Sequence, residues 1–116
     1  SQLQILSLSE NEFDGPIHSE IGRLTNLQVL YLGSNHFTGI IPQEFGNLVN
    51  LVNLGVERNQ ISGSVPISIF NISSLQLLSL WKNNLSGVLP REIGNLTKMQ
   101  ALELCENKFT GTYLKW

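Results

Sequence analysis

The chain has 116 residues and a formal net charge of −2, and only 14% of its residues are charged, against about 25% in an average globular domain. The near balance of acidic and basic residues excludes the cationic excess with which nucleic-acid-binding proteins neutralise phosphates. No apolar run approaches the roughly 20 residues of a membrane-spanning helix, and the single cysteine, Cys105, excludes an intramolecular disulfide bond.

A period of 24 residues organises the whole chain and aligns without a gap. The repeats are residues 1–24, 25–48, 49–72 and 73–96, followed by a partial repeat, 97–116. Such a period is typical of a solenoid, in which one repeat cannot bury its apolar side chains alone and stacked neighbours can. We therefore predict a single array of repeats over residues 1–116, without capping domains.

Each repeat opens with a short predicted β-strand. Apolar residues occupy the third, sixth and eighth positions of every repeat, as in Leu3, Leu6 and Leu8. The alternation around Ser7 has the period of two that places alternate side chains on one face of a strand. One such strand per repeat, always in the same direction, predicts a parallel sheet that covers a common core.

The eleventh position, directly after the strand, is asparagine in every repeat. A buried turn at this point leaves backbone N–H and C=O groups without sheet partners, at about 1–3 kcal/mol for each unsatisfied group. An asparagine amide has both donors and an acceptor, so it can bond its own turn and the next one. We predict a continuous ladder of asparagine side chains formed by Asn11, Asn35, Asn59, Asn83 and Asn107.

Glycine and proline mark the rest of each repeat. Glycine occupies the fifteenth position every time, which indicates a backbone conformation or a close approach that a side chain would block. The eighteenth position is proline, except for His18 and Leu114 in the first and last repeats. The stretches that follow, such as residues 43–48, are too short and too glycine-rich for a stable α-helix. We predict one or two 3₁₀ turns there, on the convex side.

Residues 27–42 carry the complete pattern Leu-x-x-Leu-x-Leu-x-x-Asn-x-Phe-x-Gly-x-Ile-Pro, which resembles the plant-specific class of leucine-rich repeat. The Gly-x-Ile-Pro extension distinguishes that class, and the resemblance covers the whole chain. Residues 65–75 are similar to ectodomains of plant receptor-like kinases and receptor-like proteins, above all to the group that senses microbial proteins such as bacterial flagellin.

The resemblance implies an α/β fold, namely a right-handed leucine-rich-repeat solenoid with a concave parallel β-sheet and little true α-helix. It also implies a second short strand in each repeat, around the Gly-x-Ile-Pro segment. It further implies recognition of an extracellular ligand without catalysis and without a cofactor. The family usually carries a cysteine-paired cap at each end, and neither cap is present in this sequence.

The side chains that flank the inward leucines vary from repeat to repeat, as expected of a scaffold that presents different groups. We expect all of these positions, including Gly55 and Ser79, to be exposed on the concave face. Tryptophan, tyrosine and arginine contribute most to binding energy at protein interfaces, although ordinary surface variation would also explain the pattern. The candidate ligand-binding residues are Tyr31, Glu57, Arg58, Trp81, Lys82 and Glu103.

No catalytic or metal-binding set is recognisable. The two histidines, His18 and His36, occupy different positions of their repeats, whereas a metal site needs several converging ligands. Cys105 has no partner at a spacing typical of nucleophilic catalysis, and is most simply a free thiol on the concave surface. We therefore predict no enzymatic activity, no metal and no cofactor.

Three sequons for N-linked glycosylation are present, at Asn71, Asn84 and Asn95. Asn71 and Asn95 fall on the predicted convex return, where a glycan would leave the sheet free. Asn84 lies beside the predicted concave edge. We expect glycans at the two convex sites more readily than at Asn84.

The leading hypothesis is an extracellular, cell-surface recognition module of a plant receptor in immune or developmental signalling. Its partners would be a protein or peptide ligand and a co-receptor, and not nucleic acid. A secreted inhibitor of a pathogen cell-wall-degrading enzyme, such as a polygalacturonase inhibitor, stays open, and so does a structural or ice-binding array. We also expect end-to-end self-association through the uncapped first and last repeats.

Overall fold

The computed structural model describes residues 1–111, which form a series of short β-strands joined by turns and 3₁₀ helices. In chain order the strands are β1 (Ile5–Ser7), β2 (Asp14–Pro16), β3 (Val29–Tyr31), β4 (His36–Thr38), β5 (Asn53–Gly55), β6 (Ser62–Gly63), β7 (Leu77–Ser79), β8 (Asn84–Val88), β9 (Ala101–Glu103) and β10 (Lys108–Thr110). The end of the predicted fifth repeat, with Leu114 at the position of proline, lies outside the described residues.

The odd-numbered strands form one parallel, five-stranded sheet in the order β1-β3-β5-β7-β9. Its register follows the repeat, because Leu30 is paired with Leu6 on one side and with Leu54 on the other. The constant offset stacks equivalent side chains from one strand to the next, and Leu30, Leu54 and Leu78 are all buried. The predicted parallel sheet of the solenoid is therefore confirmed.

The even-numbered strands form a second set of parallel pairs, β2 with β4, and β6 and β10 on either side of β8. Two backbone hydrogen bonds join these groups, from Gln60 N to Phe37 O at 2.9 Å and from Ser62 N to Gly39 O at 2.8 Å. β2, β6 and β8 include the glycine of the predicted Gly-x-Ile-Pro segment, and β4 and β10 end one residue before it. All of these strands end before the eighteenth position, where proline would have no N–H to donate to a neighbouring strand.

The returning segments contain 3₁₀ helices, and no α-helix is present in residues 1–111. The 3₁₀ helices span Ser19–Arg23, Gln43–Asn47, Ile67–Asn71 and Arg91–Asn95, as the short, glycine-rich segments predict. His18 precedes the first one with φ −72°, close to the −62° of Pro42 in the next repeat. The first repeat therefore adopts the same backbone without proline. None of these helices has the length and hydropathy that crossing a bilayer requires.

The apolar positions of the repeats form one continuous hydrophobic core. Burial is complete in the middle of the array, where Phe45 and Phe70 are among the largest fully buried side chains. It decreases towards the ends, because the outermost described repeats have a neighbour on one side only. In the first repeat Leu3 is 42% exposed and Phe13 is 46% exposed.

The amide of Asn59 shows how consecutive turns are joined. Its Nδ2 donates to Leu32 O of the preceding repeat at 3.0 Å, and to Val56 O and Glu57 O of its own turn at 3.0 and 3.2 Å. Its Oδ1 accepts the N–H of Phe37 at 3.0 Å. One side chain thus provides partners for four backbone groups, which would otherwise lie in a partly buried turn without any.

The same bonds recur along the solenoid. Asn35, Asn83 and Asn107 each donate to two carbonyls of their own turn and to one in the preceding repeat. Each also accepts a backbone N–H of the preceding repeat. Asn11 donates only within its own repeat. The asparagine side chains at the eleventh positions therefore form a row of hydrogen bonds that runs beside the sheet.

A second, shorter line of side-chain bonds joins the repeats at their second position. These bonds run from Asn26 Nδ2 to Ser1 O at 2.7 Å, from Asn50 Nδ2 to Thr25 O at 3.0 Å and from Ser74 Oγ to Val49 O at 3.2 Å. Each short polar side chain reaches a carbonyl that has no sheet partner. A structural role for this second position was not predicted.

Two positions of each repeat have a positive φ. The glycine at the fifteenth position has φ between 73° and 81° in the first four repeats, a conformation that glycine adopts without steric cost. The tenth position is also left-handed, with φ between 54° and 59°, and yet it is never glycine. Its residues, Glu10, Ser34, Arg58, Lys82 and Glu106, are polar, and the sequence pattern alone does not reveal their conformation.

We expect replacement of Asn59 by alanine to lower the free energy of unfolding by about 1–3 kcal/mol, because it removes all four bonds of one amide. Replacement of the adjacent, exposed Gln60 by alanine should change it by less than about 0.5 kcal/mol. Urea denaturation of both variants measures the difference. Equal losses would contradict a structural role for the eleventh position.

We expect Gly39→Ala to destabilise the fold by about 1 kcal/mol, because an alanine at φ +75° adopts a left-handed conformation. The cost is conformational, since the nearest atom to the added methyl group would be Pro16 Cβ at 3.6 Å. Gly94→Ala is the matched control, because its methyl group would meet nothing within 4 Å. Thermal melts should show a loss at position 39 and none at position 94, and the reverse order would refute the explanation.

Candidate ligand-binding face

The concave face is formed by side chains on the outer surface of the five-stranded sheet. Because side chains alternate along a strand, the sixth and eighth positions of a repeat enter the core and the fifth, seventh and ninth face outwards. In the middle of the sheet, Tyr31 is paired with Gly55, and Gly55 with Ser79. An aromatic side chain thus stands beside two small residues on consecutive strands.

The structure places the predicted site residues along this face and its edge. Tyr31 and Glu103 are the last residues of β3 and β9, and the other four follow β5 and β7. Three of these side chains are half-buried, namely Tyr31, Glu57 and Trp81. The other three are exposed, namely Arg58, Lys82 and Glu103. Glu103 lies one strand beyond Ser79 in the register, so it is separated from Tyr31 by two strands.

The carboxylate of Glu57 lies across the backbone of two glycines. A methyl group on Gly55 would meet Glu57 Oε1 at 2.7 Å and Tyr31 Cδ1 at 3.3 Å, and one on Gly33 would overlap Glu57 Oε2. The missing side chains therefore provide the space for the carboxylate and bring it beside the tyrosine ring. Glu57 and Tyr31 were both predicted as site residues, but the role of the outward-facing glycines that bring them together was not predicted.

Arg58 and Trp81 form a pair between neighbouring repeats. The guanidinium carbon of Arg58 lies 5.5 Å from the centroid of the Trp81 ring, within the range of a cation–π interaction. An exposed pair of this kind contributes about 0.5–1 kcal/mol. Arg58 therefore covers part of the Trp81 ring.

Lys82 lies at the lateral edge of the sheet rather than over its centre. It lines an open groove of about 660 Å³ together with Glu10, Ser34 and Arg58, and the asparagine turns form the floor. Lys82 and Arg58 both have a left-handed backbone at the tenth position of their repeats. This conformation turns the chain away from the sheet. The positive charges of Arg58 and Lys82 therefore lie at the edge of the sheet, whereas the Glu57 carboxylate lies over its concave face.

Ser79 was expected to be exposed on the concave face, and this expectation is wrong. The structure shows it 4% exposed, and its Oγ has no hydrogen-bond partner. Gly55, expected to be exposed as well, is also buried. Both residues are short, and the larger Leu77 and Trp81 stand on the same side of the chain as Ser79. Burial on this face thus depends on the sizes of neighbouring side chains, which the repeat pattern does not fix.

A second groove, of about 720 Å³, lies on another side of the solenoid and was not predicted. Apolar residues from the segment after the fifteenth position line it, among them Pro16, Ile40 and Pro66. Ile40 is 62% exposed. The sequence signal was present, because Ile40 stands at a position where other repeats have a polar or smaller residue.

The remaining candidate residues are exposed. Asn71 and Asn95 are the last residues of two 3₁₀ helices, and Asn84 is the first residue of β8. Cys105 is a free thiol at the surface. Within residues 1–111, no group of three or more histidine, cysteine or acidic side chains is arranged to hold a metal ion.

Comparison with known proteins gives the same architecture. The sequence profile of the leucine-rich repeat region family matches residues 1–113. No curated protein sequence matches the chain. Solved structures do, and the matching ectodomains are much longer than this chain.

The structure of the ectodomain of the Arabidopsis thaliana receptor kinase GASSHO1/SCHENGEN3, in complex with CASPARIAN STRIP INTEGRITY FACTOR 2, matches with 44% identity and a TM-score of 0.92. The match covers 94% of this chain and 13% of that one. The Arabidopsis receptor kinase HAESA, in complex with the peptide hormone IDA and the co-receptor SERK1, matches with 30% identity and a TM-score of 0.82, over 93% of this chain and 22% of HAESA's.

A plant ice-binding protein is also similar, with 30% identity and a TM-score of 0.88 over 92% of this chain and 35% of its own. The same repeat architecture thus occurs in receptors and in a protein of another function. With a profile match along almost its entire length and the parallel, asparagine-linked solenoid described above, the chain belongs to the leucine-rich repeat family.

Proposed function

We propose that the chain is part of the extracellular ectodomain of a plant receptor-like kinase or receptor-like protein and binds a peptide or protein ligand on its concave face. The observation that carries this proposal is the cluster of Tyr31, Glu57, Arg58 and Trp81 on consecutive repeats. These side chains differ from repeat to repeat, whereas the core positions carry similar apolar residues in every repeat. Aromatic and arginine side chains in such a setting are typical of interface hot spots. The likeness to the GASSHO1/SCHENGEN3 and HAESA ectodomains supports the same role.

In this proposal the chain acts at the cell surface, in immune or developmental signalling. The ligand contacts the five strands of the concave face, and these span only about 20 Å at roughly 4.8 Å per strand. An extended peptide covers that distance in about six residues.

A co-receptor is a second proposed partner, by analogy with the HAESA complex that contains SERK1. The exposed Leu3 and Phe13 provide an apolar surface for self-association of the isolated chain.

We also propose N-linked glycans at Asn71 and Asn95. Both side chains are exposed at the ends of 3₁₀ helices, away from the concave face, so a glycan there leaves the ligand face open. Asn84 is exposed as well, but it lies within β8, where its backbone is held by pairing with β6. We rank it third for this reason.

Ice binding is the second candidate function, because a plant ice-binding protein has the same architecture. A flat strip of identical small polar residues would favour ice binding. The fourteenth position of the repeats resembles such a strip most, with Thr38, Ser62 and Ser86. The charged Asp14 and Lys108 interrupt the same surface, which argues against it. A thermal-hysteresis assay separates the two functions, and inhibition of a polygalacturonase would instead identify an inhibitor of cell-wall-degrading enzymes.

We expect Trp81→Ala to weaken ligand binding at least tenfold, because it removes the largest rigid surface of the face and the support of Arg58. Peptides that the chain retains from apoplastic fluid would be identified by mass spectrometry and synthesised. Calorimetry then measures the affinity of each peptide for the unchanged chain and for the Trp81→Ala variant. Glu92→Ala, an exposed change in the last 3₁₀ helix, is the control and should leave the affinity unchanged. A larger loss for Glu92→Ala would place the binding surface on the opposite side.

A further inference from the structure

The groove at the lateral edge of the sheet has an uneven distribution of charge. This edge groove, of about 660 Å³, is open and is lined by the tenth, eleventh and twelfth positions of successive repeats. Glu10 lies in the first repeat, and Arg58 and Lys82 lie in the third and fourth. At roughly 4.8 Å per repeat, the main chain of Glu10 is about 10 Å from that of Arg58 and about 14 Å from that of Lys82. The edge groove is therefore acidic at one end and basic at the other.

Backbone hydrogen bonds fix the two basic residues on neighbouring repeats. Arg58 N donates to Trp81 O at 2.9 Å, and Lys82 N donates to Cys105 O at 3.0 Å. Because neighbouring strands lie about 4.8 Å apart, the main chains of Arg58 and Lys82 are separated by roughly that distance. Two cations on such neighbouring positions repel each other, and an anion between them is attracted to both.

The side chain of Arg58 is directed towards the repeat that carries Lys82. Its guanidinium carbon lies 5.5 Å from the centroid of the Trp81 ring, and Trp81 directly precedes Lys82 in the chain. A guanidinium group stacked on an aromatic ring uses its face, so its N–H groups, which lie in its plane, stay able to donate hydrogen bonds. The stacking thus orients the guanidinium group before a ligand binds, which lowers the entropic cost of binding.

The nearest acidic residues along the chain and along the row of tenth positions are directed elsewhere. Glu57 precedes Arg58, but its carboxylate lies over the concave face, where a methyl group on Gly55 would meet its Oε1 at 2.7 Å. Glu106 follows Lys82 in the row, and it lines a separate groove. The basic end of the edge groove is therefore suited to a carboxylate from another molecule.

We propose that the basic end of the edge groove, formed by Arg58 and Lys82, binds the side chain of an aspartate or glutamate residue of the ligand. The proposal rests on the proposed function and specifies the chemistry of one ligand side chain. The guanidinium group of Arg58 donates two parallel hydrogen bonds to the carboxylate, and the ammonium group of Lys82 donates another. The main chain of the ligand lies on the concave face beside Trp81, so a side chain rather than a chain terminus extends into the edge groove.

Other side chains fit the basic end less well. A basic side chain would be repelled by Arg58 and Lys82. An apolar one would remove water from both cations without replacing the lost hydrogen bonds, which is unfavourable. A second acidic group further along the edge groove would approach Glu10 and be repelled there. The charges therefore favour a single acidic side chain, at the end formed by the third and fourth repeats.

The proposal can be tested on the 116-residue chain with three pentapeptide probes. The first is acetyl-Gly-Gly-Asp-Gly-Gly-amide, and the second has asparagine in place of aspartate, which removes the charge and keeps the shape. The third is acetyl-pentaglycine with a free terminal carboxylate. ¹H–¹⁵N spectra report where each probe binds. We expect saturable shifts of the Arg58 and Lys82 amides and of the Trp81 indole N–H with the aspartate probe, none with the asparagine probe, and at least threefold weaker binding of pentaglycine.

Matched variants make the test specific. Arg58→Gln and Lys82→Gln should each weaken binding of the aspartate probe at least threefold, because each removes one of two cations. Lys82→Arg, which keeps the charge, should retain the affinity within about twofold, a result that a merely structural lysine would not predict. Arg91→Gln and Lys98→Gln, the same changes at exposed positions outside the edge groove, are the controls and should leave the affinity unchanged.

Several results would overturn the proposal. These are equal shifts from the asparagine probe, an affinity that neither Arg58→Gln nor Lys82→Gln lowers, or shifts confined to residues outside the edge groove. Pentaglycine that binds as tightly as the aspartate probe would overturn the assignment to a side chain.

Failure of this proposal is distinguishable from failure of the proposed function. Apoplastic peptides whose binding depends on Trp81 but is unchanged in Lys82→Gln would refute the carboxylate site alone. Binding of the aspartate probe in the edge groove, without any peptide retained from apoplastic fluid, would refute only the receptor role.

Discussion

The amide of the asparagine at the eleventh position is the interaction on which the rest of the structure depends. The chain leaves the sheet at this point of every repeat, and the turn carries backbone groups that no strand can pair. In the third repeat the amide of Asn59 provides partners for four such groups across two repeats. The hydrogen bonds of each asparagine amide form only when the preceding turn is in its native position. The folding of one repeat therefore depends on that of its neighbour. The sheet can then continue with strands of only three residues.

This division of roles leaves the outward positions of the strands available for the ligand binding that we propose. The core columns and the asparagine amides stabilise the solenoid, and the seventh and ninth positions carry no common residue type. The variation is not independent between repeats, however. Glu57 has its position because Gly33 and Gly55 have no side chains, and Arg58 contacts Trp81 of the next repeat. A binding site on such a face is therefore a property of three consecutive repeats.

Much of the fold could be predicted from the sequence, because the relevant interactions repeat every 24 residues. The strand around Leu30, the 3₁₀ helix after Pro42 and the need for a special backbone at Gly39 all follow from patterns within one repeat. The left-handed conformation of Arg58 and Lys82 could not be predicted, because no glycine or asparagine marks it. Ser79 was expected to be exposed, and its burial could not be predicted because it depends on larger side chains beside a short one.

The most direct test of this account is native-state hydrogen exchange at the amides of Phe37 and Ile61, whose N–H groups donate to Asn59 and Asn83. Amides held by the cooperative structure exchange only when it opens, whereas amides bonded to water exchange rapidly. If the asparagine amides connect the repeats, both should be protected as strongly as the strand amides of Leu54 and Leu78. Exchange of Phe37 and Ile61 at the rate of exposed turn residues, with the strand amides still protected, would contradict the account.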